Sequence, residues 1–476
     1  MKILKQNIYH AISFGGSLLL DKGTILRSFL LVAGLSMSAC TDFVEVDPPR
    51  NNLVSETVFD DPATVESALA NLYHGMREGG MVSGSFGMTP LLGVYSDELD
   101  YFGFDADFSQ LYYHNLLASN GTLMDWWGQA YHLIYAANDI IKGVELSDEL
   151  TKDEKNKFKG QALFVRAYMH SLLASLYGDV PYITTTDYVK NNKVSRMDVV
   201  VVQEHIIDDL EAAVDLLKGL DMNQGERVLP DQYVAQAFLA RMYLYSERWE
   251  RAASLSTELI NVFELENDLD QVFLKDSPET IWQLKAEDGE NTKEAGQLII
   301  QSIPGQTYAL TDGLLGAFEQ GDGRREHWIG GVTDEDHTIT LFYAHKYKAD
   351  SNETETKEYS ILFRLAEQYL IRAEARAHLG NVSGALSDLN AVRARAGLVE
   401  VTANSTEALL EAILKERRVE LFTEQGLRWF DLKRTVMANE VMGALKPNWK
   451  PTNVLFPIPE AELETNPNLL PQNPGY

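Results

Sequence analysis

Residues 363–397 have the sequence FRLAEQYLIRAEARAHLGNVSGALSDLNAVRARAG. Helical periodicity runs through both halves, and the Gly380-Asn381 step between them predicts a turn that joins two helices. A unit of about 34 residues that holds one helix–turn–helix is typical of tetratricopeptide repeats. The stretch therefore predicts a mainly α protein built from tetratricopeptide-like helical repeats.

A second stretch, residues 231–263, has the same organisation. Ala240 precedes Ala252 by twelve residues, just as Ala373 precedes Ala385. Small residues at matching positions let two antiparallel helices approach closely. The shared spacing therefore supports the repeat interpretation.

The rest of the chain is interpreted around these repeats. Residues 60–476 are predicted to form a single domain, an α–α superhelix. Helix pairs are predicted over three ranges, at about residues 126–177, 203–263 and 363–424. The repeats are interrupted at about residues 78–125 and 264–360, which contain glycine, aromatic residues, turns and strand-like pieces. Because long loops in a compact domain are usually functional, these two insertions are predicted to form an irregular, loop-rich half that binds the ligand.

The composition limits the possible partners. The chain of 476 residues has 41 basic and 70 acidic residues, and thus a formal net charge of −29 at pH 7. Nucleic acid and anionic membrane surfaces carry charge of the same sign, so neither is predicted as a partner. Cys40 is the single cysteine, which excludes an intramolecular disulfide and a thiolate-based metal site.

Residues 1–39 are predicted to be a lipoprotein signal peptide. Basic residues and a short apolar run at 28–37 lead to small residues directly before Cys40. This ending resembles a bacterial lipobox, which is cleaved before the cysteine so that its sulfur and new amino group can be acylated. We therefore predict lipidation at Cys40, a lipidated tether over residues 40–59, and membrane attachment through the lipid alone. The alternative is a buried structural cysteine in an amphipathic helix.

No motif in the sequence demands an enzyme. P-loop, strand-borne G-x-G-x-x-G and G-x-S-x-G elements do not occur, and we predict no catalytic residues, cofactor or metal. The closest group of histidines is interpreted as loop or strand residues: His327, His337 and His345. Residues 105–109 begin like a calcium loop, but Gln110 stands where the turn needs glycine.

Residues 414–434 are crowded with opposed charges. The sequence predicts one helix in which Glu416 and Glu420 reach neighbouring arginines at helical spacing. We interpret it as a salt-bridged structural helix, and the alternative is an arginine-rich binding face. Residues 456–476 then combine asparagine with proline, which forces turns and predicts a tail pinned across the body by packing.

The last two segments resemble signatures of the SusD/RagB family, the nutrient-uptake outer-membrane lipoproteins of Bacteroidetes. Residues 416–434 contain ERRxEL…GxRWFDLKR, and residues 457–476 contain PIP…NPNL…QNPGY. Leu427 stands where the family often has histidine. Further matching stretches follow in order along nearly the whole mature chain, at residues 42–49, 162–183, 240–249, 272–284 and 365–397.

The resemblance implies a helical fold of four tetratricopeptide-like units with an irregular ligand-binding half. It implies a partner, a SusC-like TonB-dependent outer-membrane transporter, over which the lipoprotein acts as a hinged lid. It further implies capture of an oligosaccharide or polysaccharide at the cell exterior, with delivery and without cleavage. Because some relatives take peptides, the same architecture with a peptide or another small nutrient is the alternative. A lipid-anchored hydrolase and a scaffold without a small ligand are the further hypotheses.

The candidate ligand-binding residues lie in the two insertions. Sugar rings offer apolar C–H faces that stack on aromatic planes, while polar side chains read the hydroxyls. The candidates are Asp97, Tyr101, Phe102, Phe104, Tyr308, Arg324 and Trp328. For each of them, ordinary packing is the alternative. Tryptophans in regular elements or family motifs are assigned to packing: Trp126, Trp127, Trp282 and Trp429.

Overall fold

The computed structural model describes residues 58–84, 86–220, 225–350 and 352–476. The predicted signal peptide, Cys40 and nearly all of the predicted tether lie outside these residues. In the described ranges, no helix combines the length and apolar character needed to cross a membrane.

Helices dominate the described chain and are numbered here in chain order. The first nine are α1 (Pro62–Glu78), α2 (Met88–Tyr95), α3 (Ala106–Tyr112), α4 (Gly121–Leu146), α5 (Lys152–Tyr177), α6 (Tyr188–Asn191), α7 (Val199–Leu217), α8 (Gln232–Tyr245) and α9 (Trp249–Ile260). The others are α10 (Lys293–Leu298), α11 (Asp312–Leu315), α12 (Gly323–His327), α13 (Leu365–His378), α14 (Val382–Arg395), α15 (Thr406–Glu420), α16 (Leu427–Arg434), α17 (Ala438–Leu445) and α18 (Glu460–Thr465).

The long helices pack side by side in sequence order. α4 contacts α5, α5 contacts α7, and α7 contacts α8; the array continues through α9, α13, α14 and α15. This arrangement confirms the prediction of a mainly helical, tetratricopeptide-like fold. The ranges 203–263 and 363–424 each hold three helices.

Small residues and turn chemistry explain the close helix pairs. The four spaced alanines are fully buried: Ala240, Ala252, Ala373 and Ala385. Gly380 has φ +76°, in the left-handed region that glycine enters without a steric cost, and it ends α13. The Asn381 side chain then caps α14, because its Oδ1 accepts from the Gly384 N–H at 3.0 Å.

Short antiparallel strand pairs organise the two insertions. β1 (Leu99–Tyr101) pairs with β3 (Tyr308–Leu310), β2 (Thr280–Leu284) with β6 (Ser360–Arg364), and β4 (Ile329–Thr333) with β5 (Thr340–Ala344). The β1–β3 pair joins the first insertion to the second, with Tyr101 opposite Tyr308. A separate apolar core lies beneath it and includes Leu99, Tyr308, Trp328 and Phe422.

The predicted single helix over 414–434 is wrong. α15 ends at Glu420, and α16 begins only at Leu427. Between them Thr423, Gln425 and Gly426 have φ of 50°, 49° and 68°, and three left-handed residues so close together cannot continue a right-handed helix.

The charges of α15 are also partnered differently from the prediction. They do not form a ladder along one helix but a buried network between elements. Glu420 Oε1 lies 2.5 Å from Arg364 Nη1, and its Oε2 lies 2.8 Å from Arg324 Nη1. Glu416 pairs with Arg324 at 2.7 Å and with Arg393 at 3.0 Å. The structural interpretation of these charges therefore holds, but the pairs are tertiary and not helical neighbours.

The carboxy-terminal tail is held by asparagine side chains as well as by packing. Asn473 Nδ2 donates to the carbonyls of Tyr177 and Phe456 at 2.8 and 2.7 Å, and this asparagine is buried. Asn466 Nδ2 donates to the Val194 carbonyl at 2.8 Å. The amides thus satisfy backbone groups where proline prevents regular hydrogen bonding.

Asn473→Ala should destabilise the protein by about 1–3 kcal/mol, since two buried carbonyls lose their donor. Asn468→Ala is the matched control, because Asn468 makes a similar bond to the Lys193 carbonyl but at the surface. Urea unfolding of both variants checks this. Equal stabilities would contradict a specific role for Asn473.

Candidate functional site

The first insertion presents aromatic side chains around strand β1. The Tyr101 ring lies 5.8 Å from the Tyr308 ring and 6.1 Å from that of Phe108, measured between centroids. Its hydroxyl accepts from the Asp105 N–H at 2.9 Å, which folds the loop back over the ring. The strand register thus brings together Tyr101 and Tyr308, which the sequence proposed from separate insertions.

Phe102 and Phe104 project from the same loop into solvent. Phe102 is 40% exposed and Phe104 is fully exposed. The backbone N–H of Phe102 donates to the Thr307 carbonyl at 2.9 Å, which anchors the loop to the strand partner. Exposing two phenylalanines to water is unfavourable, and such patches commonly mark binding surfaces.

A cleft of about 370 Å³ opens beside Asp100 of β1. Its walls come from the first insertion, from the start of α11 and from the segment after α17. The lining residues are Asp97, Asp100, Tyr112, Tyr113, Thr311, Gly313, Leu445, Lys446, Pro447 and Asn448. Tyr113 is 56% exposed and stands edge-on to Tyr112, with 5.0 Å between the ring centroids.

Polar groups in the cleft are held in fixed positions. The Tyr112 hydroxyl donates to Asp100 Oδ1 at 2.9 Å, and burial followed by this bond raises the pKa of Tyr112 to about 12. Lys446 Nζ lies 4.3 Å from the centre of the Tyr112 ring. Burial lowers the pKa of Lys446, although Asp100 and Asp97 oppose the shift. Asp100 keeps its second carboxylate oxygen without a hydrogen bond to another described residue, so it can accept from a ligand hydroxyl.

Asp97 is corrected from a ligand-binding to a positioning residue. Its carboxylate accepts from Arg428 Nε and Nη2 at 2.8 and 2.9 Å, and it lies 2.7 Å from Arg418 Nη2. Burial alone would raise the pKa of Asp97, but Arg428 and Arg418 lower it overall. Both oxygens are therefore engaged, and Asp97 ties β1 to the α15–α16 region.

Trp328 and Arg324 are also corrected, because neither reaches a surface. Trp328 is 0% exposed, and its indole N–H donates to the Leu269 carbonyl at 2.9 Å. Arg324 is equally buried and is paired with Asp322 at 2.8 Å and with Glu416 and Glu420. Both residues stabilise the core under the insertions and cannot touch a ligand in this conformation.

Tyr308 occupies an intermediate position. Its ring is buried beneath Tyr101, so it supports the aromatic surface without forming part of it. Its hydroxyl has no hydrogen-bond partner among the described residues. The tryptophans assigned to packing are indeed buried: Trp126, Trp127, Trp282 and Trp429.

Residues 105–109, which begin like a calcium loop, start helix α3 instead. Asp105 caps helix α3, since its Oδ1 accepts from the N–H groups of Asp107 and Phe108 at 2.9 and 3.0 Å. Within the described ranges, no cluster of three or more His, Cys, Asp or Glu side chains could hold a metal ion.

Part of the cleft is formed by residues that were not predicted from the sequence. Tyr112 and Tyr113 lie in the predicted insertion and could have been found as an adjacent aromatic pair. Lys446 and Asn448 come from more than 300 residues further along the chain, and no local signal marks them. Asn448 Nδ2 donates to the Tyr113 carbonyl at 3.0 Å, which closes this wall of the cleft.

Two sequence models of one family match consecutive parts of the chain. The model described as "SusD family" matches residues 319–476, and the one described as "Starch-binding associating with outer membrane" matches residues 42–244. A curated relative, SusD-like protein P2 from Formosa agariphila, is 28% identical, and the match covers 94% of this chain and 98% of the relative. This chain belongs to the SusD family.

Solved structures share the fold of this SusD-family protein. A SusD superfamily protein from Bacteroides vulgatus has a TM-score of 0.77 at 20% identity, and the match covers 88% of this chain and all of that one. A laminarin-binding SusD-like protein has a TM-score of 0.74 at 23% identity, with 87% and 99% covered. The overall fold of this chain is therefore shared with these solved structures.

Proposed function

We propose that this SusD-family protein is a non-catalytic, cell-surface lipoprotein that captures an oligosaccharide in the cleft beside β1. The observation that carries the proposal is the exposed ring of Tyr113 in the cleft, together with the free carboxylate oxygen of Asp100. The exposed Phe102 and Phe104 follow Asp100 by two and four residues along the chain. The apolar face of a sugar ring stacks on such rings, and its hydroxyls donate to the carboxylate. The laminarin-binding relative and the starch-binding family description support a carbohydrate cargo.

The absence of catalysis is proposed from the state of the carboxylates at the cleft. Glycosidases use two carboxyl groups that flank the scissile bond. Here Asp97 is engaged by two arginines, and Glu98 is fully buried. Among the described residues, Asp100 is the one available carboxylate that lines the cleft, so it can bind a hydroxyl but lacks a partner there for acid–base chemistry.

Delivery to a SusC-like TonB-dependent transporter, with this chain as the lid, is the second part of the proposal. It rests on the family and on the predicted lipid anchor at Cys40, which would place the body at the outer face of the outer membrane. Cys40→Ala in the full chain should remove the protein from the outer-membrane fraction, because residue 40 then has no thiol to carry an acyl chain. Retention of the variant in the membrane at the wild-type level would contradict lipid anchoring.

The capture step is tested by isothermal titration of the mature chain, in a detergent without a sugar headgroup, against laminari-, malto- and other neutral hexasaccharides and a panel of peptides. Phe102→Ala/Phe104→Ala and Tyr113→Ala should each weaken saccharide binding at least tenfold, about 1.4 kcal/mol. The lost stacking surface is the physical reason.

Leu379→Ala is the matched control, because it removes an exposed apolar side chain on the turn after α13. It should leave the affinity unchanged. Binding of peptides and of no saccharide would favour the alternative cargo, and unchanged saccharide affinity in both aromatic variants would contradict the assigned cleft.

A further inference from the structure

A second concave site lies on helix α4 and has no lining residue in common with the cleft beside β1. It is a groove of about 300 Å³ between α4, residues 181–194 and the carboxy-terminal segment at α18. Its lining residues are Trp127, Gly128, Tyr131, Tyr135, Pro181, Ile183, Tyr188, Asn191, Asn192, Val194, Glu462, Thr465, Asn466 and Leu469. We refer to it as the α4 groove.

The walls of the α4 groove are fixed to one another by hydrogen bonds. The Tyr131 hydroxyl donates to the Pro181 carbonyl at 2.9 Å, which joins α4 to the 181–194 wall. Asn466 Nδ2 donates to the Val194 carbonyl at 2.8 Å, which joins that wall to the carboxy-terminal one. Binding to such a preformed site does not require the chain to be ordered first, which favours affinity.

Gly128 of α4, which has no side chain, leaves space at the α4 groove. Trp127, Tyr131 and Tyr135 lie four residues apart and therefore follow one face of the helix. Gly128 lies beside them, and a Cβ placed on it would meet no atom within 4 Å. Glycine inside a helix costs stability relative to alanine, and here it leaves room above the aromatic floor.

The α4 groove offers both stacking surface and unpaired polar groups. Tyr135 and Tyr188 are 44% and 69% exposed. Their hydroxyls and the Asn192 side chain make no hydrogen bond to another described residue. Glu462 contributes a carboxyl group, which the Trp127 side chain hydrogen-bonds. Aromatic faces beside amide, hydroxyl and carboxyl groups match the mixed surface of a sugar ring.

The charge of the lining restricts the ligand further. No lysine or arginine lies among the lining residues, so an anionic sugar would find no counter-charge there. The volume is at the small end of the range for ligand pockets, which is about 300–1,000 Å³. Both features favour a single neutral ring.

We propose that the α4 groove is a second saccharide-binding site, which holds one neutral hexose ring of a glycan. The class of ligand in this inference rests on the proposed function. The location of the site does not, because it follows from the α4 groove itself. A second contact on the same glycan would raise the overall affinity, because the second binding event becomes intramolecular once the first is made.

The test is saturation-transfer NMR of the mature chain with laminarihexaose, maltohexaose, cellohexaose and mannohexaose, in a detergent without a sugar headgroup. Gly128→Trp fills the α4 groove from an open position on the helix surface. Gly296→Trp is the matched control, since Gly296 is also an exposed helical glycine with no atom near its Cβ position. Tyr188→Ala removes one wall of the groove.

In Phe102→Ala/Phe104→Ala, transfer to at least one hexasaccharide should persist, and adding Gly128→Trp or Tyr188→Ala should reduce it at least fivefold. Adding Gly296→Trp should not. If Gly128→Trp changes no signal, the α4 groove is overturned while the proposed function stands. If transfer depends on Gly128 and not on Phe102 and Phe104, the groove stands and the first cleft is overturned. Absence of transfer in the wild-type protein would overturn both.

Discussion

Glu420→Gln should destabilise the protein by roughly 3–5 kcal/mol, the largest loss we expect from any single substitution of a charged group. Glu420 is fully buried and faces Arg324, Arg364 and Arg395. Burial alone would raise its pKa, but these three arginines hold the pKa well below the ordinary value. A neutral amide would remove the one counter-charge that these three buried guanidinium groups share.

Glu411→Gln on the exposed face of the same helix is the matched control, and it should change stability by less than about 0.5 kcal/mol. Guanidinium chloride unfolding at pH 7 measures the free energy of unfolding of both variants.

Because the pKa of Glu420 is depressed in the folded state, the contribution of its carboxylate to stability is present above the unfolded pKa and is lost as the pH falls. The difference in free energy of unfolding between Glu420→Gln and wild type should therefore become smaller as the pH is lowered. A loss no greater than that of the control would contradict the central role of the network.

The second large effect concerns Glu98, which lies beside the cleft and is buried next to Asp97. Burial, and then the charge of Asp97, raise the pKa of Glu98 to about 8, although Arg428 and Lys346 oppose the shift. The folded state therefore binds a proton that the unfolded chain has released between about pH 4.5 and 8. The stability from the neutral carboxyl is fully present below the unfolded pKa and is lost as the pH rises through the folded pKa.

Glu98→Gln should have a stability close to that of wild type at pH 5 and should exceed it by about 3–5 kcal/mol at pH 8.5. The amide keeps an acceptor for the Thr423 N–H, which donates to Glu98 Oε1 at 3.2 Å. Urea unfolding of both proteins at the two pH values measures the change. If the difference in free energy of unfolding between the two proteins does not vary with pH, Glu98 is not protonated in the folded state as proposed.

The helical half of the fold could be predicted from the sequence because its determinants are local. The Gly380-Asn381 step indicates a turn in the backbone. The matched alanines indicate that two helices pack closely. The break between α15 and α16 could not be predicted in this way. It depends on left-handed conformations at Thr423, Gln425 and Gly426, and of these only the glycine is a local sign in the sequence.

Only some of the ligand-binding residues predicted from the sequence lie at the surface. The others are buried or half-buried aromatic or charged residues. Phe102 and Phe104 follow a strand in a short loop, where nothing covers them. Trp328 also lies in a predicted insertion, yet it is buried, with Phe273 edge-on to its ring and the Arg395 guanidinium over it. Exposure of an aromatic residue in an insertion is set by tertiary packing, so residue type alone could not distinguish the ligand surface from the core beneath it.

The most direct test of the proposed saccharide site is a crystal structure of the mature chain with a hexasaccharide that binds in solution. We expect a sugar ring stacked on Phe102, Phe104 or Tyr113, with a hydroxyl within hydrogen-bond distance of Asp100. A saccharide bound with no contact to residues 100–113 would contradict it.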